Sequence, residues 1–298
     1  MLFCSISFGQ AQKQGQATTA NQLKKAVVKI ESIQQRYDLA QVEALLHKQI
    51  DTIKGLSQHD TYARQDALLN IKDTIRGTGL MIADGPKIYL VTAKHIIKAT
   101  EKLSNGLETI NDLLSIKTDD GDKKTNDISL MNLATTTVNN RPFMFSPDQD
   151  DLAVISFQKD DYKVIVTYMK QNGCVPIPIQ SIAQMDNYNA GDDVFAVGFP
   201  ALGGSKSSVV SNGKIASITQ SQHNYIANLI VYPGNSGGPV IAGNKLIGIL
   251  SYQTGMQTNI DAAAHPYEKA NSAMVIKAAN ILPLLRKLQQ NERNAGFK

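Results

Sequence analysis

Short runs of valine, isoleucine, leucine and tyrosine, separated by glycine and polar turns, dominate the sequence from residue 65 onwards. Runs of this length with turn residues on both sides are typical of β-strands. A chain with many short strands folds as a β-sandwich or a β-barrel. The predicted strands are Leu68–Ile75, Gly79–Ile82, Ile88–Thr92, Leu152–Phe157, Asp193–Val197, Gly213–Thr219, Pro239–Ile241, Lys245–Tyr252 and Ala273–Ile276.

The first part of the chain has a helical pattern instead. From Thr19 to Leu56, apolar residues recur every three to four positions, and glycine is absent until Gly55. This spacing predicts two helices or one long bent helix, whose apolar stripe packs against the following domain, pairs with another subunit or covers a cleft. The stripe comprises Leu23, Val27, Ile30, Ile33, Tyr37, Val42, Leu45, Leu46, Ile50 and Ile53.

Two further segments differ in composition from the strands around them. Ser104–Gln149 is polar and rich in asparagine, which predicts an elaborated hairpin or a surface loop, and Ala278–Gln290 returns to helical spacing. We therefore divide the chain into a leader at residues 1–15, a helical N-terminal segment at 19–64 and one β-domain at 65–298.

The beginning of the chain is similar to the end of a secretory signal peptide. Met1 to Phe8 is mostly apolar and small residues follow, although no basic residue precedes the run. A signal peptide implies a periplasmic or secreted protein, and the alternative is an ordinary N-terminal stretch. No later segment approaches the roughly 18 consecutive apolar residues of a membrane span. Cys4 would leave with the leader, so we expect Cys174 to be a buried structural thiol without a disulfide partner.

The charge distribution excludes one class of partner. The net charge is +4, but the basic residues are spread along the chain rather than gathered into a stripe. A protein that binds nucleic acid concentrates its basic residues on one face. We therefore expect no nucleic-acid partner.

Residues 233–239 hold a serine in a run of glycines, with the sequence Pro-Gly-Asn-Ser-Gly-Gly-Pro. Glycine lets the backbone turn sharply, so the N–H groups of Gly234 and Ser236 can point into one pocket. Backbone amides in this arrangement stabilise the oxyanion of a tetrahedral intermediate, and the adjacent serine is then a candidate nucleophile. A Gly-Ser pair alone more often forms a β-turn, but the full run favours the nucleophile.

His95 is the candidate base for this serine. It follows the apolar run Ile88–Val91, so its side chain can face a cleft while its backbone stays anchored by a strand. A histidine can accept the serine proton and return it to the leaving amine. A lone histidine at a strand end is more often structural. The catalytic interpretation of His95 depends on the serine and aspartate motifs elsewhere in the chain. The histidines that lack this context and are predicted on the surface are His47, His59, His223 and His265.

Asp151 directly precedes the apolar run 152–155, which would hold its carboxylate at a buried edge beside the histidine. A buried carboxylate fixes the tautomer of the histidine that activates a serine. Asp148 and Asp150 are rivals in the same acidic stretch, for which a solvated loop is the alternative. We prefer Asp151 because it abuts the strand.

These motifs, in the order His, Asp, Ser, resemble the chymotrypsin-like (trypsin-fold) serine peptidases, and most closely their bacterial high-temperature-requirement (HtrA-like) branch. The resemblance extends from Leu68 to Ile276 and includes residues 77–80, 191–200 and 245–252. It implies a mainly β fold of two six-stranded antiparallel β-barrels, preceded by the helical segment and closed by a C-terminal helix. It also implies hydrolysis of peptide bonds in a protein or peptide substrate through an acyl-enzyme, without a cofactor or a metal.

The resemblance also implies a substrate pocket. Ile230 matches the position that sets the charge at the pocket floor, which disfavours a preference for basic residues. Tyr252 and Gln253 would border the pocket, and Ser251 would support the Asp151 carboxylate. A small or medium apolar residue is therefore expected before the cleaved bond.

Two departures from the family leave alternatives open. Asn235 replaces the aspartate that pairs with a newly cut N-terminus in digestive enzymes, so activation by that ion pair is not expected. No PDZ domain follows, which puts regulated assembly in doubt, although the N-terminal helices can mediate oligomers. The first hypothesis is an active serine endopeptidase, and the second is a non-catalytic binding module on the same fold, with its cleft covered or its substrate pocket closed. An esterase is the third, although the order Ser, Asp, His of the α/β-hydrolases is not met.

Overall fold

β-Strands make up most of the regular structure of the chain, and helices flank them at both ends. The computed structural model describes residues 20–35, 39–52, 58–69, 72–102, 108–110, 113–119, 129–132, 141–147, 150–184, 188–201, 207–218, 224–253 and 272–296. The helices are α1 (residues 20–26), α2 (Leu39–Thr52), α3 (Gln58–Leu69), α4 (Lys94–Ile97), α5 (Asp160–Gln171) and α6 (Ile281–Asn294). Within these ranges, no helix is both long and apolar enough to cross a membrane.

The strands form a sheet, a closed barrel and a small ribbon. They are β1 (Val27–Gln35), β2 (Lys72–Asp84), β3 (Lys87–Thr92), β4 (Lys98–Lys102), β5 (Glu108–Ile110), β6 (Leu113–Thr118), β7 (Ser129–Asn132), β8 (Phe143–Phe145), β9 (Ala153–Ser156), β10 (Ile177–Pro178), β11 (Asp193–Gly198), β12 (Val209–Ile218), β13 (Asn224–Asn228), β14 (Pro239–Ala242), β15 (Lys245–Gln253) and β16 (Ala273–Lys277).

The barrel has six strands in the order β11-β12-β13-β16-β15-β14, and neighbouring strands within it are antiparallel. The sheet has the order β7-β6-β1-β2-β3-β9-β8, with β10 paired to β2. The predicted mainly β fold is thus confirmed, and one of the two predicted six-stranded barrels is present. In the described residues the first half is an eight-stranded sheet rather than a six-stranded barrel.

Strand β1 corrects the prediction of two helices, or one long bent helix, from Thr19 to Leu56. Helices are present at residues 20–26, α2 and α3, but Val27–Gln35 pairs with β2 on one side and β6 on the other. Val28 and Ile30 are buried, whereas Lys29 and Glu31 form an ion pair at 2.9 Å on the opposite face. This alternation has the period of a strand. Pairing on both edges outweighs the weaker helical spacing.

Local boundaries also differ from the predictions. Leu68–Ile75 is not one strand, because α3 continues to Leu69 and β2 begins only at Lys72. The segment Ser104–Gln149 contains β5, β6, β7 and β8 among its described residues. Helix α5 and strand β13 were not predicted from the sequence. The C-terminal helix is confirmed as α6, after a 3-10 turn at Ala278–Asn280.

One buried cluster joins the sheet, the barrel and the terminal helices. It contains Leu80 and Val91 of the sheet, Val197 of the barrel and Leu285 of α6. Leu23 of α1 belongs to the same cluster and is only 2% exposed. Full burial of each such side chain contributes about 1.5–3 kcal/mol of transfer free energy. The N-terminal residues therefore help to fix the two β-structured halves together.

Polar contacts fasten α6 to the sheet. The side-chain amide of Gln289 donates to Asp84 Oδ2 at 2.8 Å and to the Tyr89 hydroxyl at 3.1 Å. The Ser156 hydroxyl donates to the buried Glu292 carboxylate. Burial raises the pKa of Tyr89 to about 12. Burial also raises the pKa of Glu292 above its usual range, although the Ser156 hydrogen bond opposes this shift.

The substitution Glu292→Gln is expected to raise the melting temperature at alkaline pH. Because the folded-state pKa of Glu292 is raised, its favourable contribution is full below the ordinary value of 4.5 and is lost as pH rises through the folded-state pKa. Glutamine keeps the acceptor for Ser156 without a charge. We expect a gain of about 2 °C at pH 8 and none at pH 4. Thermal unfolding of Glu43→Gln, which changes an exposed carboxylate, is the matched control.

Cys174 is buried, as its apolar surroundings predict. Burial raises the pKa of its thiol to about 12, although the charge of Lys170 acts in the other direction. The reactive form of cysteine is the thiolate. A thiol held in the neutral form is a packing residue. Cys4 lies outside the described residues.

Candidate active site

His95 and Asp151 lie at the same end of one strand pair. Strands β3 and β9 are antiparallel, and Thr92 at the end of β3 is opposite Ala153 at the start of β9. Asp151 comes just before Ala153, and His95 follows Thr92 in the short helix α4. The next residue, Ile96, is buried and anchors this turn. The His95 side chain is 45% exposed, so it faces solvent at the edge of the core.

The Asp151 carboxylate binds both the ring and the backbone of His95. Oδ2 lies 2.6 Å from His95 Nδ1, and Oδ1 accepts the His95 backbone N–H at 2.8 Å. The Ser251 hydroxyl donates to Oδ2 at 2.6 Å. A carboxylate that accepts from Nδ1 holds the tautomer in which Nε2 is free to accept a proton. An imidazole in this geometry can act as a general base.

The hydrogen bonds to Asp151 favour its charged form. Burial alone would raise the pKa of this carboxyl. The bond from the His95 ring, the charge of that ring, the Ser251 hydroxyl and the His95 amide outweigh burial and hold the pKa below its usual range. Asp151 is therefore ionised at neutral pH and can stabilise an imidazolium.

The rival carboxylates do not occupy this position. Asp150 is 4% exposed, and its Oδ2 accepts the Asn280 side-chain amide at 3.4 Å. Ser146 ties the chain on both sides of Asp151, since its hydroxyl donates to Asp150 O and accepts from Leu152 N–H. Asp148 lies outside the described residues.

The peptide before Gly234 points its N–H away from Ala201. The carbonyl of Pro233 accepts the Ala201 N–H at 2.7 Å, and the N–H of a peptide points opposite to its C=O. Gly234 has a φ of +94°, which glycine adopts without steric cost. Among the described residues, the Gly234 N–H has no hydrogen-bond acceptor.

The peptide before Ser236 is fixed in the same way. The Asn235 carbonyl accepts the Gly238 N–H at 2.9 Å, so the Ser236 N–H points to the other side. The N–H groups of Asn235 and Gly237 donate to Tyr232 O at 3.0 Å and Leu250 O at 2.7 Å. In the described part of the chain, the Ser236 amide also has no acceptor. Because backbone N–H groups are rarely left unpaired, the amides of Gly234 and Ser236 are the donors available to a ligand.

The serine loop lies against the strand end that carries His95. A Cβ atom on Gly237 would be 2.0 Å from Thr78 O, 2.3 Å from Thr92 Oγ1 and 3.1 Å from Ala93 N. Only glycine permits this approach. The fold thus brings Ser236, the residue before Gly237, next to the turn that leads to His95.

A pocket opens beside Ser236. It is lined by Val231, Tyr232, Pro233, Asn235, Ser236, Leu250 and Ser251, none of which is charged. The predicted floor residue Ile230 does not line this pocket and is 52% exposed, because the chain turns its neighbour Val231 inward instead. Ser251, whose hydroxyl contacts Asp151, is also in this lining. Tyr252 and Gln253 belong to β15, but their side chains lie outside the described part of the structure.

Several residues of the site were not singled out from the sequence. Thr78, Ala201 and Leu250 bond to the serine loop through backbone or hydroxyl groups, and the Thr92 hydroxyl donates to the Thr78 carbonyl. Backbone partners leave no signature in residue type. Thr78 did have a sequence signal, because it lies between Gly77 and Gly79 in a strand whose following residues are buried and apolar.

The chain was compared with known proteins. Two solved structures are similar: the HtrA-type protease AlgW with a decapeptide (14% identity, TM-score 0.53, covering 92% of this chain and 66% of that one) and a serine endoprotease from Yersinia pestis (16% identity, TM-score 0.48, covering 91% and 65%). The chain therefore spans just under two thirds of each of these proteins. No curated protein sequence matches the chain. Residues 77–249 match the family described as Trypsin-like peptidase domain, and the chain belongs to this trypsin-like peptidase family.

Proposed function

We propose that this protein is a serine endopeptidase that hydrolyses peptide bonds through an acyl-enzyme, with Ser236 as nucleophile, His95 as general base and Asp151 as its orienting carboxylate. The observation that carries the proposal is the Asp151 carboxylate held between His95 and Ser251, beside a serine loop with two available amides. Membership of the trypsin-like peptidase family supports the same chemistry.

The reaction follows from these groups. His95 Nε2 takes the Ser236 proton as the serine oxygen attacks the substrate carbonyl, and the ionised Asp151 stabilises the resulting imidazolium. The amides of Gly234 and Ser236 donate to the oxyanion. The imidazolium then gives its proton to the leaving amine. Water, activated by the same histidine, releases the acyl group and regenerates the serine.

The lining of the pocket favours a substrate with an apolar residue before the cleaved bond. Val231 and Leu250 are buried apolar side chains in its lining, and no lining residue carries a charge that would pair with lysine or arginine. The ladder between β14 and β15 ends at the pair Pro239 and Ile249, and Leu250 bonds to the serine loop through its N–H and C=O. Residues 251–253 of β15 then have no strand partner on that side in the described structure. An extended peptide can add to such an edge. This arrangement favours a protein or peptide substrate. We place the enzyme in the periplasm or outside the cell.

Profiling with a peptide library tests the proposed activity. Wild-type protein is expected to cleave after small or medium apolar residues, whereas Ser236→Ala is expected to lose about 10⁶-fold in kcat because no nucleophile remains. Mass spectrometry of the products locates each cleavage site. Cleavage that persists in Ser236→Ala, or that follows charged residues, would contradict the proposal.

The helices between β1 and β2 are relevant to the second hypothesis, a non-catalytic module whose cleft is covered. Helices α2 and α3 pack on each other and are inserted between two paired strands. The last residue of β1, Gln35, is opposite the first residue of β2, Lys72. A short Asn-Gly turn can therefore replace residues 36–71 without removing β1. If this variant is more active, the helices cover the site. If only its mass in solution falls, the helices mediate oligomers.

A further inference from the structure

Thr78 joins the sheet to the serine loop of the barrel. It is fully buried on β2, and its hydroxyl donates to Gly234 O at 2.8 Å. Its backbone N–H donates to Ser236 O at 2.7 Å. Gly234 and Ser236 are the residues whose amides are available to the substrate oxyanion. One residue of the first half therefore contacts both.

The Thr78 hydroxyl uses its donor and an acceptor lone pair. Besides donating to Gly234, it accepts the Phe199 N–H at 2.9 Å, at the end of β11. Gly234 has no side chain to restrict rotation of its peptides, so the bond to its carbonyl limits the conformations open to the loop. An apolar side chain of the same shape would leave the Gly234 carbonyl and the Phe199 amide unpaired.

The packing around Thr78 leaves little room for rearrangement. A Cβ atom on Gly198 would lie 3.1 Å from Thr78 Oγ1, and one on Gly237 would lie 2.0 Å from Thr78 O. The Thr92 hydroxyl donates to the same Thr78 carbonyl at 2.7 Å, on the strand that leads to His95. Thr78 thus accepts a hydrogen bond from the strand that leads to His95 and donates hydrogen bonds to the serine loop.

We propose that Thr78 is a positioning residue: its hydroxyl keeps the amides of Gly234 and Ser236 aimed at the oxyanion, and its backbone fixes the distance between the serine loop and the strand that carries His95. This inference rests on the proposed peptidase function. It assigns no contact between Thr78 and the substrate. Loss of the hydroxyl should therefore impair the chemical step more than substrate binding.

The variants Thr78→Val and Thr78→Ser test this role. Valine removes the hydroxyl and keeps the shape, so we expect kcat and the rate of labelling by a fluorophosphonate to fall on the order of 100-fold, with KM changed less than about threefold. Serine restores the hydroxyl, so its rates are expected within about fivefold of wild type. A role in packing alone would not produce rescue by serine, since serine lacks the methyl group.

Ser156→Ala is the matched control, because it also removes a buried hydroxyl from the first sheet, where it contacts Glu292 and not the serine loop. It is expected to lower the melting temperature without slowing the labelling. Equal rates for Thr78→Val and wild type, or no rescue by Thr78→Ser, would overturn the inference. Failure of wild-type protein to react would instead overturn the proposed function, so the two failures are distinguishable.

Discussion

Replacing Asp151 with asparagine is expected to lower kcat by about 10⁴-fold without unfolding the protein. Asparagine has nearly the same shape, but it presents no negative charge to the imidazolium and its amide group favours the wrong histidine tautomer. The two bonds that Asp151 makes with His95, at 2.6 and 2.8 Å, make this effect specific to that carboxylate. The measurement is kcat on a peptide selected from the library, together with thermal unfolding.

Asp150→Asn is the control for this experiment. Asp150 is adjacent in sequence and more deeply buried, but it contacts Asn280 instead of the histidine. We expect its effect on kcat to stay below about tenfold, since it leaves the charge and tautomer of the site unchanged. If Asp150→Asn abolished activity and Asp151→Asn did not, the assignment of the orienting carboxylate would be wrong.

Gly237→Ala is expected to lower the free energy of unfolding by about 4 kcal/mol and to abolish labelling of the serine. Its φ of +86° disfavours alanine, and the added Cβ would lie 2.0 Å from the backbone oxygen of Thr78. Neither the loop nor β2 can move without breaking the contact between the two halves. Denaturant unfolding measures the stability, and fluorophosphonate labelling measures the site.

Gly243→Ala separates the clash from the backbone strain. Gly243 also has a positive φ, of +59°, but nothing lies within 4 Å of the added Cβ. Its expected cost is only about 1–2 kcal/mol, and labelling should be unaffected. Equal destabilisation by the two alanines would show that the serine loop does not pack tightly against β2.

The mainly β fold and the C-terminal helix were predictable because their signals are local. Apolar runs such as 152–155 and 246–250 are short and bounded by polar or turn residues, and the structure places β9 and β15 there. The spatial pairing of His95 with Asp151 was predicted from two strand ends and a family resemblance. Antiparallel pairing of β3 with β9 is the physical reason that these ends meet.

The remaining features depend on contacts between distant parts of the chain. Val27–Gln35 satisfies helical and strand spacing alike, and only pairing with β2 and β6 decides between them. The inward turn at Val231 left Ile230 exposed, which alignment by position alone does not reveal. The role of Thr78 depends on a loop 156 residues away. Sequence periodicity carries no information on such pairings.

Labelling with a fluorophosphonate, followed by intact-mass measurement and peptide mapping, tests the central claim most directly. Folded wild-type protein at neutral pH should gain one adduct on Ser236, His95→Ala should react far more slowly, and Ser236→Ala should remain unmodified. A folded wild-type protein that gains no adduct, or gains one elsewhere, would contradict the claim that His95, Asp151 and Ser236 form a peptidase site.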